Sequence, residues 1–392
     1  MRLTAMRIRV GLLTALAAGC GGRTATQVMS QTDSGQAEAA GATGTSAAPE
    51  MNAGAAPSGC TCQVGSACDA RACLCPKLVC AGMCVDPQVD DAHCGGCGLR
   101  CDTGCKRGRC IEVLASELRT PTALALGRTD AYFTTSIGLM KVSKTGGPLS
   151  VFVPKEKYGI VRAIAVDDTH VYWAGGSGGT LMRASIASAT PEVLAEQQGH
   201  ISDITFDSVA IYWSDWQLGA IMTWPKSGGS PRVLTSATRS PRALAVDSTR
   251  IYWAEDVAND GAVVSMPLAG GTPLTLVPGQ DAPRGLGVNA THVFWTLTFD
   301  DTVQRVPLGG GNVELLSQSA PYPEHLIVDD RFAYWVGAYE VEKVGLAGGS
   351  HEELPGTEFP SDLAIDEGSV YFLNDGEGGA EGNGTLLKVT PK

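Results

Sequence analysis

Ala243-Leu-Ala-Val-Asp247, Ile251-Tyr-Trp-Ala254, Ala262-Val-Val-Ser-Met-Pro-Leu268 and Pro273-Leu-Thr-Leu-Val277 are four short apolar runs lying close together in the chain. The first ends on Asp247, a residue suited to opening a turn. The second is rich in β-branched and aromatic residues, which fit a pleated and half-buried surface. The third is closed by Gly270-Gly271, a turn pair. Runs this short, separated by turn residues, predict four antiparallel strands and leave no room for a helix.

The same unit recurs along the chain. An aromatic pair stands at Tyr132-Phe133, Tyr172-Trp173, Tyr212-Trp213, Tyr252-Trp253, Phe294-Trp295, Tyr334-Trp335 and Tyr371-Phe372, at spacings of 40, 40, 40, 42, 40 and 37 residues. A period near forty with four strands per unit is that of a propeller blade. Five positions before the pair stands Asp167, Asp207, Asp247, Asp329 or Asp366, with Gly127 and Asn289 as variants. Small residues crowd the first strand (Ala123, Ala163, Ala243, Gly285, Gly287, Ala364), as the narrow axis of a propeller requires. The last unit stops after its third strand, Lys388-Val-Thr-Pro-Lys392. Its missing fourth strand stands at the beginning, where Ile111-Glu-Val-Leu-Ala115 matches Pro191-Glu-Val-Leu-Ala195. The fold expected is all-β, a seven-bladed propeller over residues 111–392 closed by that strand. A six-bladed ring with one spare unit is the alternative.

Ile211-Tyr-Trp-Ser-Asp215 and the sister Tyr-Trp pairs resemble the YWTD propellers of lipoprotein receptors and the wider TolB-like group. The resemblance implies the blade fold over most of the chain. Those receptor repeats form six-bladed rings, so seven units here is a departure, and function has to be argued from a site.

The 392 residues carry 29 Lys plus Arg against 41 Asp plus Glu, a formal charge of −12 that excludes a phosphate-tracking nucleic-acid binder. The chain has no apolar run of the 18 or more residues that a membrane-spanning helix needs. Arg2, Arg7 and Arg9 precede the apolar stretch Val10–Ala18, the pattern of a secretory signal over residues 1–19. Leu16-Ala-Ala-Gly-Cys20 resembles a bacterial lipobox, with Ala17 where Leu is commoner, which implies acylation of Cys20 and an outer-membrane or surface location. An odd cysteine in an exported chain needs a separate job, and lipidation supplies one. Residues 20–59 read as a disordered tether, since after Cys20 there is no aromatic and 26 of 39 residues are Ala, Gly, Ser or Thr.

Residues 60–110 hold twelve cysteines: Cys60, Cys62, Cys68, Cys73, Cys75, Cys80, Cys84, Cys94, Cys97, Cys101, Cys105 and Cys110. In an exported chain that density is a disulfide framework, resembling Cys-rich modules of bacterial surface lipoproteins. Zinc at Cys94, Cys97, Cys101 and Cys105 is the competing reading.

Strand order gives the ring a top face, where first strands begin and second-to-third loops lie. Two columns of residues fall at the tunnel mouth there. One reads Thr122, Arg162, Ser202, Arg242, Arg284, Glu324 and Ser361; the next includes Asp203, His325 and Asp362. Arginine offers a planar fork of donors to carboxylates and sugar hydroxyls. Arg162, Arg242 and Arg284, with Asp203, His325 and Asp362 between them, therefore point to a site for an anionic or carbohydrate group. Pairing of these charges across blades is the competing reading. Trp216, in a top loop and outside the repeat register, is the candidate binding aromatic. No cofactor is expected, although the loop Asn374–Gly384 has oxygen ligands and glycines of a calcium-binding type. His170, His292 and His351 fall on the bottom face and His200 and His325 on the top, so no converging acid–base set is evident. The expectation is a lipid-anchored envelope module binding an envelope or extracellular protein or a glycan, its only contact with the bilayer the N-terminal acyl anchor. A propeller hydrolase or lyase using the tunnel-mouth residues is the alternative.

Overall fold

The computed structural model describes residues 77–81, 83–155, 161–175, 179–376 and 382–392, without the side chain of Arg162. The signal, Cys20, the tether and the cysteines from Cys60 to Cys75 lie outside the described residues.

The unit read around Tyr252 forms four antiparallel strands in chain order, Pro241–Val246, Arg250–Glu255, Gly261–Pro267 and Leu274–Gln280. Gly270 and Gly271 turn the third strand into the fourth with φ of 92° and 139°, values open to glycine. Five other units form four-stranded sheets in the same way, and the seventh holds the last three strands of the chain. Their innermost strands touch in a closed cycle of seven, the last, Pro360–Ile365, meeting the first, Leu124–Leu126. The ring therefore has seven blades, and the six-bladed alternative is set aside.

The aromatic pair explains why the blades adhere. Neighbouring residues on a strand point to opposite faces, so Tyr and Trp of one pair enter different interfaces. Tyr252 packs with Trp295 of the next blade, and Trp253 with Tyr212 of the blade before. The relay continues through Tyr172 with Trp213, Phe294 with Trp335 and Tyr334 with Phe372. It closes where Tyr371 of the last blade packs with Phe133 of the first. Trp173, Trp213, Trp253, Trp295 and Trp335 are all fully buried, which makes them core.

The recurring aspartate does two jobs. Asp247 Oδ1 accepts the N–H groups of Thr249 and Arg250, closing the turn, while Oδ2 accepts the Tyr252 hydroxyl at 2.7 Å. The same latch joins Asp167 to Tyr172, Asp207 to Tyr212 and Asp366 to Tyr371. In the fifth blade Asn289 keeps the turn bonds, and Phe294 has no hydroxyl needing an acceptor. In the first blade Gly127 has no side chain to offer, and the Tyr132 hydroxyl is buried without a hydrogen-bond partner, its pKa pushed up to about 12 first by burial and then by Asp130.

The last blade closes as its missing strand predicts. Arg109–Leu118 pairs antiparallel with Gly384–Thr390, with Val389 opposite Ile111 and Leu387 opposite Val113. Cys105–Lys106 extends this sheet outward, so the cysteine-rich module and the propeller share one sheet. Disulfides join Cys80 to Cys97, Cys94 to Cys105 and Cys101 to Cys110, which overturns the zinc reading of those cysteines. Cys84 is also disulfide-bonded. The module lies against the outer edge of the ring, where Arg107 pairs with Glu353 and Arg109 with Glu352 on the outer strand of the sixth blade, and Arg109 Nε donates to the Pro391 carbonyl at the bottom of the last.

Burial pushes the Asp247 pKa up, but the bonds from Tyr252, Thr249 and Arg250 outweigh it and hold the carboxyl below its ordinary value. A carboxyl depressed in this way contributes stability above its unfolded pKa and loses it as pH falls through the folded one. Asp247→Ala should cost about 2 kcal/mol at neutral pH, through the lost turn bonds and the stranded hydroxyl. Asp247→Asn with Tyr252→Phe copies the fifth blade and should recover most of that. Denaturant unfolding of parent and variants at pH 7 and below about 4 checks it: the gap should narrow in acid.

Candidate functional site: the tunnel mouth and the top face

The seven innermost strands enclose a tunnel of about 650 Å³. Five of the segments leading into them turn on a left-handed residue followed by proline: Thr120, Ser240, Ala282, Tyr322 and Phe359, with φ between 43° and 52°. Register then slips at the tunnel mouth, between Ile201 and Asp203, Pro241 and Leu244, Pro283 and Leu286, and Pro360 and Asp362. Such bulges re-aim side chains, and here they bring the predicted columns to the mouth. A Cβ on Gly285 would strike the Glu324 carbonyl of the next blade, so the smallness of that strand has a steric origin.

Asp203 and Asp362 occupy equivalent positions and act as clips between blades. Asp203 accepts the N–H of Ile204 and, across to the next blade, that of Leu244 at 2.8 Å. Asp362 accepts Leu363 N–H and, across the closure, Leu124 N–H at 2.7 Å. His325 Nδ1 pairs with Asp362, while about 45% of the imidazole side chain remains open to the lumen. Burial lowers the His325 pKa, but the Asp362, Asp203 and Glu324 charges outweigh it and raise it to about 9. Asp203 is raised to about 6 by burial and the Asp362 charge, against the opposing pull of the N–H bonds and His325. The three groups sense one another's charge, and only His325 and Asp362 are hydrogen-bonded.

The arginines are paired rather than open. Arg242 donates to Asp256 at 3.0 Å; Arg284 lies 3.8 Å from the same carboxylate and 2.6 Å from Glu324 of the next blade. The guanidinium of Arg284 also stands 5.3 Å over the Phe299 ring. The open ring of arginines expected for an anion is therefore a neutralised chain of charges, for Arg242 and Arg284. The side chain of Arg162 lies outside the described residues.

Trp216 is 47% exposed in its top loop, with the His200 ring edge-on at 5.4 Å. Trp224, also outside the repeat register, is buried and donates Nε1–H to the Gly229 carbonyl. Asn374, at the start of the acidic loop, spends its amide on Glu358, Gly356 and Thr385; Glu377 and Glu381 lie outside the described residues. Among the described residues, no group of three or more His, Cys, Asp or Glu side chains is placed to hold a metal ion.

Reading the sequence column by column missed a second feature. Every exposed Trp, Tyr or Phe among the described residues (Trp216, Phe299, Tyr322, Tyr339 and Phe359) lies in a top-face loop. Tyr339 and Phe359, from adjacent blades, stand edge-on at 5.6 Å. The available signal was aromatic residues between second and third strands or before first strands, out of register with the buried pairs.

No sequence-family model matches the chain, and no curated protein sequence does. Among solved structures, a streptogramin B lyase shares a TM-score of 0.60 at 14% identity, covering 72% of this chain and 98% of that one. The selenomethionine-substituted virginiamycin B lyase from Staphylococcus aureus follows at 0.57 and 12%, covering 72% and 99%. A chain of the nidogen/laminin complex is similar at 0.50 and 20% identity, covering 59% of this chain and 94% of that one. At these identities the likeness establishes the fold: the chain carries a β-propeller behind a disulfide-rich module.

The His325–Asp362 pair yields a pH prediction. A histidine raised from 6.5 to about 9 contributes stability that is present below pH 6.5 and lost as pH rises through 9. The His325 ring protons, followed by NMR, should titrate well above the ordinary range. In Asp362→Asn the midpoint should fall, and the stability gap to the parent should be largest below pH 6.5. A His325 midpoint unchanged in that variant contradicts the pairing.

Proposed function

We propose that this chain is an exported, lipid-anchored binding module of the bacterial cell envelope, and that its recognition surface is the top face of the propeller. The observation that carries the reading is the distribution of exposed aromatics. Trp216, Phe299, Tyr322, Tyr339 and Phe359 share the top face, while the cysteine-rich module lies along the outer edge of the last two blades. Exposed aromatic side chains with arginine close by are the composition of recognition surfaces. Export is supported by the signal-like N-terminus and by disulfides, which persist in oxidising compartments. Acylation of Cys20 supplies the anchor. The partner is an extracellular or envelope protein or a glycan, and the tunnel-mouth aspartates serve the ring as interblade clips.

A photo-crosslinking amino acid placed at Phe299, Tyr339 or Phe359 in producing cells should give discrete adducts. The same group at Val193 or Val233, exposed on outer strands, should give none. Adducts confined to the outer strands, or absent from every top-face position, contradict the reading.

A further inference from the structure

Between the third and fourth blades the top face sinks into a pocket of about 440 Å³, lined by Ile201, Ser202, Trp216, Ser240, Arg242 and Asp256. That volume is within the range of about 300–1,000 Å³ usual for small-molecule sites. We infer that this pocket is a subsite for a neutral pyranose, a reading that rests on the top face being the recognition surface.

Three observations converge on that chemistry. One lining group is the Trp216 indole, against which the His200 ring stands edge-on; the backbone N–H of Trp216 donates to the His200 carbonyl at 3.1 Å and fixes the loop that carries it. About half of the side chain remains open. An exposed aromatic face suits the C–H face of a sugar ring, which is apolar on one side and ringed by hydroxyls. The opposite wall is Arg242 donating to Asp256, with the two serines beside them. Asp256 N–H donates to the Ser240 carbonyl, fixing this wall to the segment before the fourth blade's first strand.

Charge then selects among ligands. Arg242 and Arg284 face Asp256 and Glu324, so the cluster is balanced. An incoming carboxylate or phosphate would compete with Asp256 for Arg242 and leave Asp256 with only the longer Arg284 contact, beside a second negative charge. A hydroxyl asks for no such exchange. It donates to the carboxylate and accepts from the guanidinium, while an adjacent hydroxyl reaches Ser202 or Ser240. The anionic group expected from the arginine column is thereby disfavoured, and the carbohydrate expected from it is retained.

The protein carries its own reporter. Of its seven tryptophans, Trp173, Trp213, Trp253, Trp295 and Trp335 are 0% exposed and Trp224 is 4% exposed, which leaves Trp216 as the one open to a quencher. Acrylamide quenching of the full chain, with and without methyl glucoside, methyl galactoside, methyl N-acetylglucosaminide and glucuronate, reads occupancy directly. At least one neutral methyl glycoside should protect Trp216. Asp256→Asn should weaken that protection about tenfold, the loss expected for one hydrogen bond to a charged group. Trp216→Ala should abolish saturation transfer to the glycoside protons by NMR while leaving the melting temperature unchanged. Protection by none of the neutral glycosides, tighter protection by glucuronate, or saturation transfer surviving Trp216→Ala overturns the inference. If the glycosides fail while adducts at Tyr339 and Phe359 persist, the sugar subsite falls and the broader reading of the face stands.

Discussion

The structure depends on a relay of aromatic side chains running around the ring. Two adjacent residues on the second strand of each blade face opposite ways, so one pair joins its blade to both neighbours. A blade is too thin to hold a core of its own; its core is its interfaces. Loss of one Trp from such a fully buried site costs about 3–5 kcal/mol, a large share of the margin of an ordinary domain. The Asp–Tyr latch pins the relay from below. In the five blades that carry the aspartate, a single carboxylate fixes the tyrosine hydroxyl and the turn that starts its strand.

A relay of this kind closes on itself or ends in an exposed edge that invites aggregation. The contact of Tyr371 with Phe133 is the closure of the core, and the strand Arg109–Leu118 is the closure of the sheet. Because Cys110 lies in that strand and is bonded to Cys101, the disulfide module is fixed to the ring by the same element. The module meets the outer edge of the ring, from Pro391 at the bottom of the last blade to Glu352 and Glu353 on the outer strand of the sixth.

Much of this was legible in the sequence because repetition makes it so. Position-matched Asp, Tyr and Trp residues must do the same thing in every blade, and Ile111–Ala115 could be recognised as a fourth strand by its likeness to Pro191–Ala195. The repeats also placed Asp203, His325 and Asp362 at the mouth. What the columns could not convey was pairing. Asp256 has no acidic counterpart in the neighbouring blades, where Trp216 and Thr298 stand at its position, and only rotation between blades brings Arg284 to it and to Glu324. Departures from the repeat carried the remaining information. Gly127 leaves Tyr132 without its acceptor, and Trp216, Phe299, Tyr339 and Phe359 are aromatic where the register calls for loop residues. The pairing of Cys94 with Cys105 across the module was equally beyond reach, since spacing does not encode disulfide connectivity.

Hydrogen exchange along the closing strand tests the central claim most directly. If Arg109–Leu118 is an integral strand of the last blade, its amides and those of Gly384–Thr390 should exchange only through the global opening that releases the innermost strands. Rapid exchange across 109–118, while the blades around Trp213 and Trp253 stay protected, would show an open ring and contradict the account.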